Sequence, residues 1–268
     1  MSKGRDVLPK RKFDTLIRTH LVSLGFSECV STPMLPDKQA KMFHPASVEV
    51  MNPLTVELER MRPSILPNLL DIARRNERYG ASGQRLFEGG SVFNYADTVG
   101  LVAHVSERQE IALLAKDNLE EKNPYNSKEQ KADIYSMRAV VQQILYRWGI
   151  DATVTPLQES STGNWVNAKK YFDEAQTLSF TIGKTVIALA GKLHSSIQNE
   201  YELRSEAFVA VLDYEKIHSL AKERSMNPPA VAALPRFPSV ERDIALFLSK
   251  NIPAAKLIEE ARTLIPKD

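Results

Sequence analysis

Asn52-Pro53-Leu54-Thr55-Val56-Glu57-Leu58-Glu59-Arg60-Met61-Arg62-Pro63-Ser64-Ile65-Leu66-Pro67-Asn68-Leu69-Leu70 opens the stretch that decides the fold, and it runs on to Arg85-Leu86-Phe87-Glu88-Gly89-Gly90-Ser91-Val92-Phe93. Asn52-Pro53 marks a polar turn. A helix is predicted from Pro67 to Tyr79, because Pro67 suits a first helical turn, where its missing N–H has no helical partner to lose. Leu66, Leu69, Leu70 and Ala73 then fall on one apolar stripe, with Arg74, Arg75 and Arg78 pointing elsewhere. Gly80 takes the left-handed conformation that ends a helix. A strand follows from Gln84 to Phe93, interrupted by Gly89-Gly90, a pair that predicts a bulge or a close backbone approach.

Upstream, a helix is predicted over Pro9–Leu24, with Phe13, Leu16, Ile17, His20, Leu21 and Leu24 inward and Gly25 as its stop. A strand from Ser27 to Thr32 follows, closed by Pro33 and Pro36. Residues 46–51 alternate around Val48 and Val50 and read as a strand. Downstream, strands are expected over Val99–Val105 and Glu110–Ala115, then an exposed polar loop from Lys116 to Lys131. Asp133 is the expected N-cap of a helix carrying Ile134, Met137, Val141, Ile144, Leu145 and Trp148 up to Gly149. Further strands are expected at Ala152–Thr155, Leu178–Ile182, Thr185–Leu193 and Phe208–Leu212.

These phrases, in this order, resemble the beta subunit of bacterial phenylalanyl-tRNA synthetase. The resemblance rests on Asn52-Pro53-Leu54, Met61 to Leu70, Arg85 to Phe93, and Ala190-Gly191-Lys192-Leu193-His194 with Tyr201-Glu202-Leu203. The helix, Gly25 and the strand before Pro33 resemble the first class II synthetase motif, which builds a subunit interface. Departures occur at Asn118 and Tyr125, where the family has Gly and Trp, at Ser195 after His194, and across Trp165–Asp173, where no Pro-Gly-Arg phrase stands.

The resemblance implies an α+β fold: a class II synthetase-like antiparallel sheet flanked by helices, followed by an incomplete ferredoxin-like β-α segment. It divides the chain into a catalytic-like, non-catalytic module over 1–225, a proline-rich linker over 226–236, and the start of an anticodon-binding domain over 237–268. That last segment runs from Phe237-Pro238-Ser239 through a strand to a helix carrying Leu257, Ile258, Ala261 and Leu264. A ferredoxin-like sheet needs four strands, so the segment cannot close a core by itself. The sequence therefore reads as a piece of a longer polypeptide.

Composition is compatible with this. Apolar residues make up 43% and charged residues 25%, ordinary for a globular protein. Lys plus Arg number 35 against 33 Asp plus Glu, a poor electrostatic footprint for a dedicated nucleic-acid binder. The single cysteine, Cys29, excludes an internal disulfide and fits a reducing compartment. The opening residues lack the apolar core of a signal peptide, and no apolar run reaches membrane-spanning length, so a cytoplasmic location without a membrane is expected.

An active class II synthetase carries an Arg and an acidic residue two apart on a strand, hence on one face. Here Arg85 and Glu88 are three apart and are expected to face opposite ways unless the glycine pair bulges. Where the family's third motif would bring a glycine-rich strand and a phosphate-binding Arg, only Gly191 and Lys192 stand. No catalytic, cofactor-binding or metal residue is therefore assigned. His20, His44, His104, His194 and His218 show no metal-ligand spacing. Gly80-Ala81-Ser82-Gly83 lacks the Lys-Ser/Thr of a P-loop and reads as a turn. Arg74, Arg75 and Arg78 read as a solvated face, Arg62 as structural, and Cys29 as an inert small side chain.

The resemblance implies a subunit of phenylalanine–tRNA ligase, working with an alpha subunit that holds the active site, with tRNA(Phe), and with ATP and Mg2+ as needs of the holoenzyme and none bound to this segment. It further implies a large apolar patch where the alpha subunit docks. Two other classes stand beside it: a small ligase acting alone, which would need Arg85 and Glu88 in one pocket, and a stand-alone RNA-binding or regulatory module, disfavoured by the near-neutral charge.

Overall fold

A computed structural model of the chain describes residues 8–81, 83–96, 104–119, 130–157, 165, 167, 170–227, 242–249, 252 and 254–264. Helix α1 (Lys10–Ser23) buries Phe13, Ile17 and Leu21, spaced four apart on one face, while Leu16, His20 and Leu24 are half-buried at its margin. Strand β1 (Ser27–Glu28) is shorter than expected. Only Cys29 continues its pairing, donating its N–H to Phe87 O, before Ser31 leaves the strand for Glu88.

A small antiparallel pair, β2 (Met34–Leu35) with β3 (Arg60–Met61), brackets α2 (Asp37–Phe43). The strand expected at 46–51 is reduced to a single bridge, Glu49 with Arg60. Pro45 and Pro53 flank it, neither has an N–H to extend a ladder, and the chain turns at Asn52 with φ 56°. Helix α3 (Leu66–Arg78) then buries Leu66, Leu69, Leu70 and Ala73. Each of the three leucines is 0% exposed, which stabilises the packing by about 1.5–3 kcal/mol apiece.

The main sheet is built from β4 (Gln84–Tyr95), β5 (Val105–Lys116), β6 (Thr153–Pro156), β7 (Phe172–Ile182), β8 (Thr185–Leu193) and β9 (Ala207–Asp213), with β1 at one edge. Its order is β1-β4-β5-β9-β8-β7-β6. Every pairing is antiparallel except that of β1 with β4. The register of β4 on β5 is continuous from Gln84–Lys116 to Tyr95–Val105, so Gly89-Gly90 makes no bulge. The strand expected over Glu110–Ala115 is longer, running from Val105 to Lys116, while most of the strand expected over Val99–Val105 lies outside the described residues. The polar run Ser106 to Glu110 hid this extension, because it pairs with the outer end of β4.

Helix α4 (Ile134–Arg147) starts as expected: Asp133 accepts from Ser136 N at 2.7 Å and Ser136 Oγ accepts from Asp133 N at 2.9 Å, a reciprocal cap. Two further helices, α5 (Ser195–Glu200) and α6 (Tyr214–Met226), were not expected, nor was α2. Two of the three are short, and α6 buries only Tyr214, Ile217 and Ala221, a stripe too sparse to stand out. Helices α1, α4 and α6 cover one face of the sheet over Phe87, Leu113, Phe208, Ala210 and Leu212. Helices α2, α3 and α5 cover the other, over Leu86, Val92, Leu114, Val209 and Val211.

The chain divides into two compact units, Met1–Pro229 and Ala230–Asp268. In the second, helix α7 (Ala254–Leu264) forms. Residues 242–249 carry no strand, and 237–241 lie outside the described residues, so the opening strand of a ferredoxin-like domain is not seen here. A strand needs hydrogen-bonded neighbouring strands, and no other strand lies in this unit among the described residues. None of the described helices is long and apolar enough to cross a membrane.

Candidate functional site

Alternation along β4 sends Leu86, Glu88, Gly90 and Val92 to the α3 face, and Arg85, Phe87 and Gly89 to the α1 face. Arg85 and Glu88 are therefore on opposite sides of the sheet. Arg85 Nη1 donates to Leu24 O at 3.2 Å, at the C-terminus of α1, where a cation meets the negative end of the helix. Its guanidinium also lies over Gly25, whose φ of 83° and lack of Cβ make the approach possible.

On the other face, Glu88 meets Arg62. Arg62 Nη1 donates to Glu88 Oε1 at 2.6 Å and to Ser31 Oγ at 3.1 Å, and Arg62 Nε donates to Ser91 O at 2.8 Å. Ser31 Oγ in turn donates to Glu88 Oε2 at 2.7 Å. The backbone is tied in as well: Arg62 N donates to Pro33 O, and Phe93 N donates to Arg62 O. Gly90 is glycine because a Cβ there would overlap Arg62 Nη2. The glycine pair thus serves the close approach and not a bulge.

One diagonal step away on the same face sits Glu110, 1% exposed. It accepts from Ser64 Oγ at 2.7 Å, from Ile65 N at 2.9 Å and from Arg108 Nη2 at 2.8 Å. The N-cap of α3, Ile65, supplies no side-chain bond, so Glu110 satisfies the helix start from the neighbouring strand β5 and favours its dipole. The Met61-Arg62-Pro63-Ser64 phrase is thereby explained: Arg62 and Ser64 staple α3 to β4 and β5 through two buried carboxylates.

Phe43, Trp165, Tyr171, Leu66, Leu69 and Leu70 pack together on this face. The carboxylates of Glu88 and Glu110 are engaged by Arg62, Ser31, Ser64, the Ile65 N–H and Arg108. The guanidinium of Arg108 is itself stacked over Trp165, at 6.0 Å from the ring centre. Burial, with Glu110 adding to it, raises the Tyr171 phenol and keeps it protonated.

The remaining candidates are dispersed. Gly191 lies against Thr177 and Gln176 O of β7, and Lys192 pairs with Glu206. Arg74 and Arg78 reach Glu202, at 4.0 and 2.8 Å, and Arg74 also reaches Asp71. Gly80 ends α3 with φ 90°, and Gly83 sits against Asn118 O, as a turn requires; Ser82 lies outside the described residues. His194 caps α5 through Ser196 N, and His218 reaches Leu8 O. No group of three metal-binding side chains occurs among the described residues. The Cys29 thiol is pushed up to about 11 by burial, with Glu88 and Glu28 adding to it.

Sequence reasoning misses the buried pair of Lys116 and Glu77. Lys116, expected to open an exposed loop, is 0% exposed and pairs with Glu77 and, at 3.1 Å, with Asp117. Residues 120–129 of that loop lie outside the described residues. The available signal was Glu77 itself, which falls on the apolar stripe of α3 eleven residues after Leu66. Glu77 and Asp117 line an open cavity of about 760 Å³ with Asn118, Lys131 and Arg204.

Comparison with known proteins agrees with this geometry. Residues 2–214 match the family model described as the phenylalanyl tRNA synthetase beta chain CLM domain. The phenylalanine–tRNA ligase beta subunit of Chlorobaculum tepidum is 27% identical over 264 residues, covering 95% of this chain and 31% of the relative. That of Carboxydothermus hydrogenoformans is 27% identical over 263 residues, covering 96% and 31%. The chain thus spans about a third of the length of these relatives. Among solved structures, pyrrolysyl-tRNA synthetase from Desulfitobacterium hafniense superposes with a TM-score of 0.58 at 16% identity over 86% of this chain and 76% of that one, a likeness of fold. With a match running from residue 2 to residue 214, across both faces of the sheet and the Arg62 staple, the chain belongs to the phenylalanyl tRNA synthetase beta chain CLM domain family.

Proposed function

We propose that this segment is the non-catalytic core of a phenylalanine–tRNA ligase beta subunit, which holds an alpha subunit in working geometry while that partner activates phenylalanine with ATP and passes it to tRNA(Phe). The observation that carries the reading is the family match over 2–214, read together with a synthetase face that is packed with its own side chains. Arg85 and Glu88 cannot meet one substrate through the sheet. Phenylalanine, ATP and Mg2+ accordingly belong to the holoenzyme, with the reacting groups in the alpha subunit, in the cytoplasm.

The chain's own residues supply rigidity. The two buried carboxylates fix α3 to β4 and β5, and β1 with α1 presents the sheet edge to the partner. A sheet edge offers unpaired backbone groups, and a partner module that extends or covers it satisfies them. Residues 226–236 serve as linker to the segment from 237, which begins the anticodon-binding domain.

The test is phenylalanine-dependent ATP–pyrophosphate exchange, measured on this chain, on the full-length beta subunit, and on that subunit mixed with alpha. Exchange is expected only in the mixture. Exchange by this chain alone would overturn the reading.

A further inference from the structure

We propose that the hairpin over residues 48–61 is a docking finger, whose apolar tip enters an apolar, positively rimmed pocket on the alpha subunit; this rests on the assignment above and adds an element to it. Met51 is 88% exposed, Leu54 92% and Val56 74%. Single exposed apolar side chains are common and carry no meaning. Three within six residues, at the end of one loop and rimmed by charge, mark a contact surface.

The stalk beneath them is held firmly. Met61 N donates to Val48 O at 2.8 Å and Val50 N to Glu59 O at 2.9 Å. Arg60 Nε donates to Asp37 Oδ1 at 2.7 Å and its Nη1 to Ser47 O at 2.9 Å, while Glu49 N donates to Tyr95 Oη at 3.2 Å. Asn52 turns the chain at φ 56°, and a 3-10 turn over Val56–Leu58 closes the loop. A tip displayed on so many bonds is preorganised, so little conformational freedom is lost when it docks.

Charge selects the kind of partner. Within the hairpin Arg60 is taken up by Asp37 at 2.7 Å and Glu49 at 3.4 Å, which leaves Glu57 and Glu59 as the charge beside the tip. Nucleic-acid phosphates and anionic bilayers are repelled by such a rim. A second copy of the finger would bring like charges together. What remains is a protein pocket with an apolar floor and basic margin, for which rim charge sets encounter rate and the apolar tip sets lifetime. The relatives' designation as beta subunits names a partner chain, and the finger fits the chemistry of a contact with it.

The experiment uses the full-length beta subunit and the alpha subunit, with binding followed by biolayer interferometry at two salt concentrations and the melting of free beta measured alongside. Wild-type binding tests the underlying assignment; its absence overturns both that assignment and the finger. Given wild-type binding, Leu54→Glu with Val56→Glu is expected to weaken association at least about tenfold, the scale of a buried apolar anchor, with free beta melting as before. Glu57→Lys with Glu59→Lys is expected to slow association and flatten its salt dependence. Unchanged affinity in the first variant, unchanged association rate in the second, or a lowered melting temperature of free Leu54→Glu/Val56→Glu beta, which would mean that its own chain covers the tip, overturns the finger and leaves the assignment standing.

Discussion

Arg62 Nη1 lies 2.6 Å from Glu88 Oε1, with the two side chains 4% and 5% exposed, and the guanidinium rests on the bare backbone of Gly90. The pair is fully desolvated, so its energetics are those of a buried ion pair. Removing one partner leaves the other charged in the interior, whereas removing both with side chains of similar volume does not. Arg62→Met is expected to destabilise the chain by about 3–5 kcal/mol, and Arg62→Met with Glu88→Leu to recover much of that loss. Urea titration monitored by circular dichroism checks both. A single variant that unfolds with wild-type Cm would show that the pair does not hold α3 on the sheet.

How much of this was legible in the sequence depends on which residues carried local signals. The stripe of Leu66, Leu69, Leu70 and Ala73, the Asp133 cap and the run Thr185–Leu193 each declare their element through periodicity or a capping residue, and each formed where expected. The opposite facing of Arg85 and Glu88 followed from strand alternation alone. What stayed hidden is long-range. Glu110 caps a helix that starts 45 residues earlier, and nothing near Glu110 announces that. Lys116 reads as the first residue of a polar loop, and only its pairing with Glu77, on the α3 helix that covers this face of the sheet, places it in the core. Gly89-Gly90 carried a true signal with two readings, bulge or close approach, and only the position of Arg62 decides between them.

That decision gives a second prediction, drawn from the two adjacent glycines. A methyl group at Gly90 would collide with Arg62 Nη2, which is pinned by Glu88, Ser31 and Ser91 and cannot withdraw. A methyl group at Gly89 would meet Arg18 Nη2 at 3.2 Å, and that side chain, 29% exposed, is held by part-exposed pairs with Asp14 and Glu28 that re-form after a small outward shift. Gly90→Ala is therefore expected to cost about 1–3 kcal/mol, in the range of an overpacked core site. Gly89→Ala should cost clearly less. Differential scanning calorimetry of the two variants compares them directly, and equal losses would contradict the role given to Arg62.

Cys29 offers a prediction about pH. Its thiol is pushed up to about 11, first by burial and then by Glu88 and Glu28, so at neutral pH almost none of it is thiolate. Since the thiolate is the nucleophile, alkylation by iodoacetamide should be roughly a hundredfold slower than for the same cysteine in the unfolded chain, and should recover in urea. The sign of the linkage follows. Below about pH 9 the thiol is protonated in both states and contributes no pH dependence. Between about 9 and 11 the unfolded chain releases its proton first, so this group lowers stability as pH rises through that window. Cys29→Ser removes a thiol that ionises late in the folded chain, and should flatten that part of the stability profile. Rapid alkylation of the folded chain at pH 7.5 would show instead that Cys29 is exposed, and that the two carboxylates do not act on it.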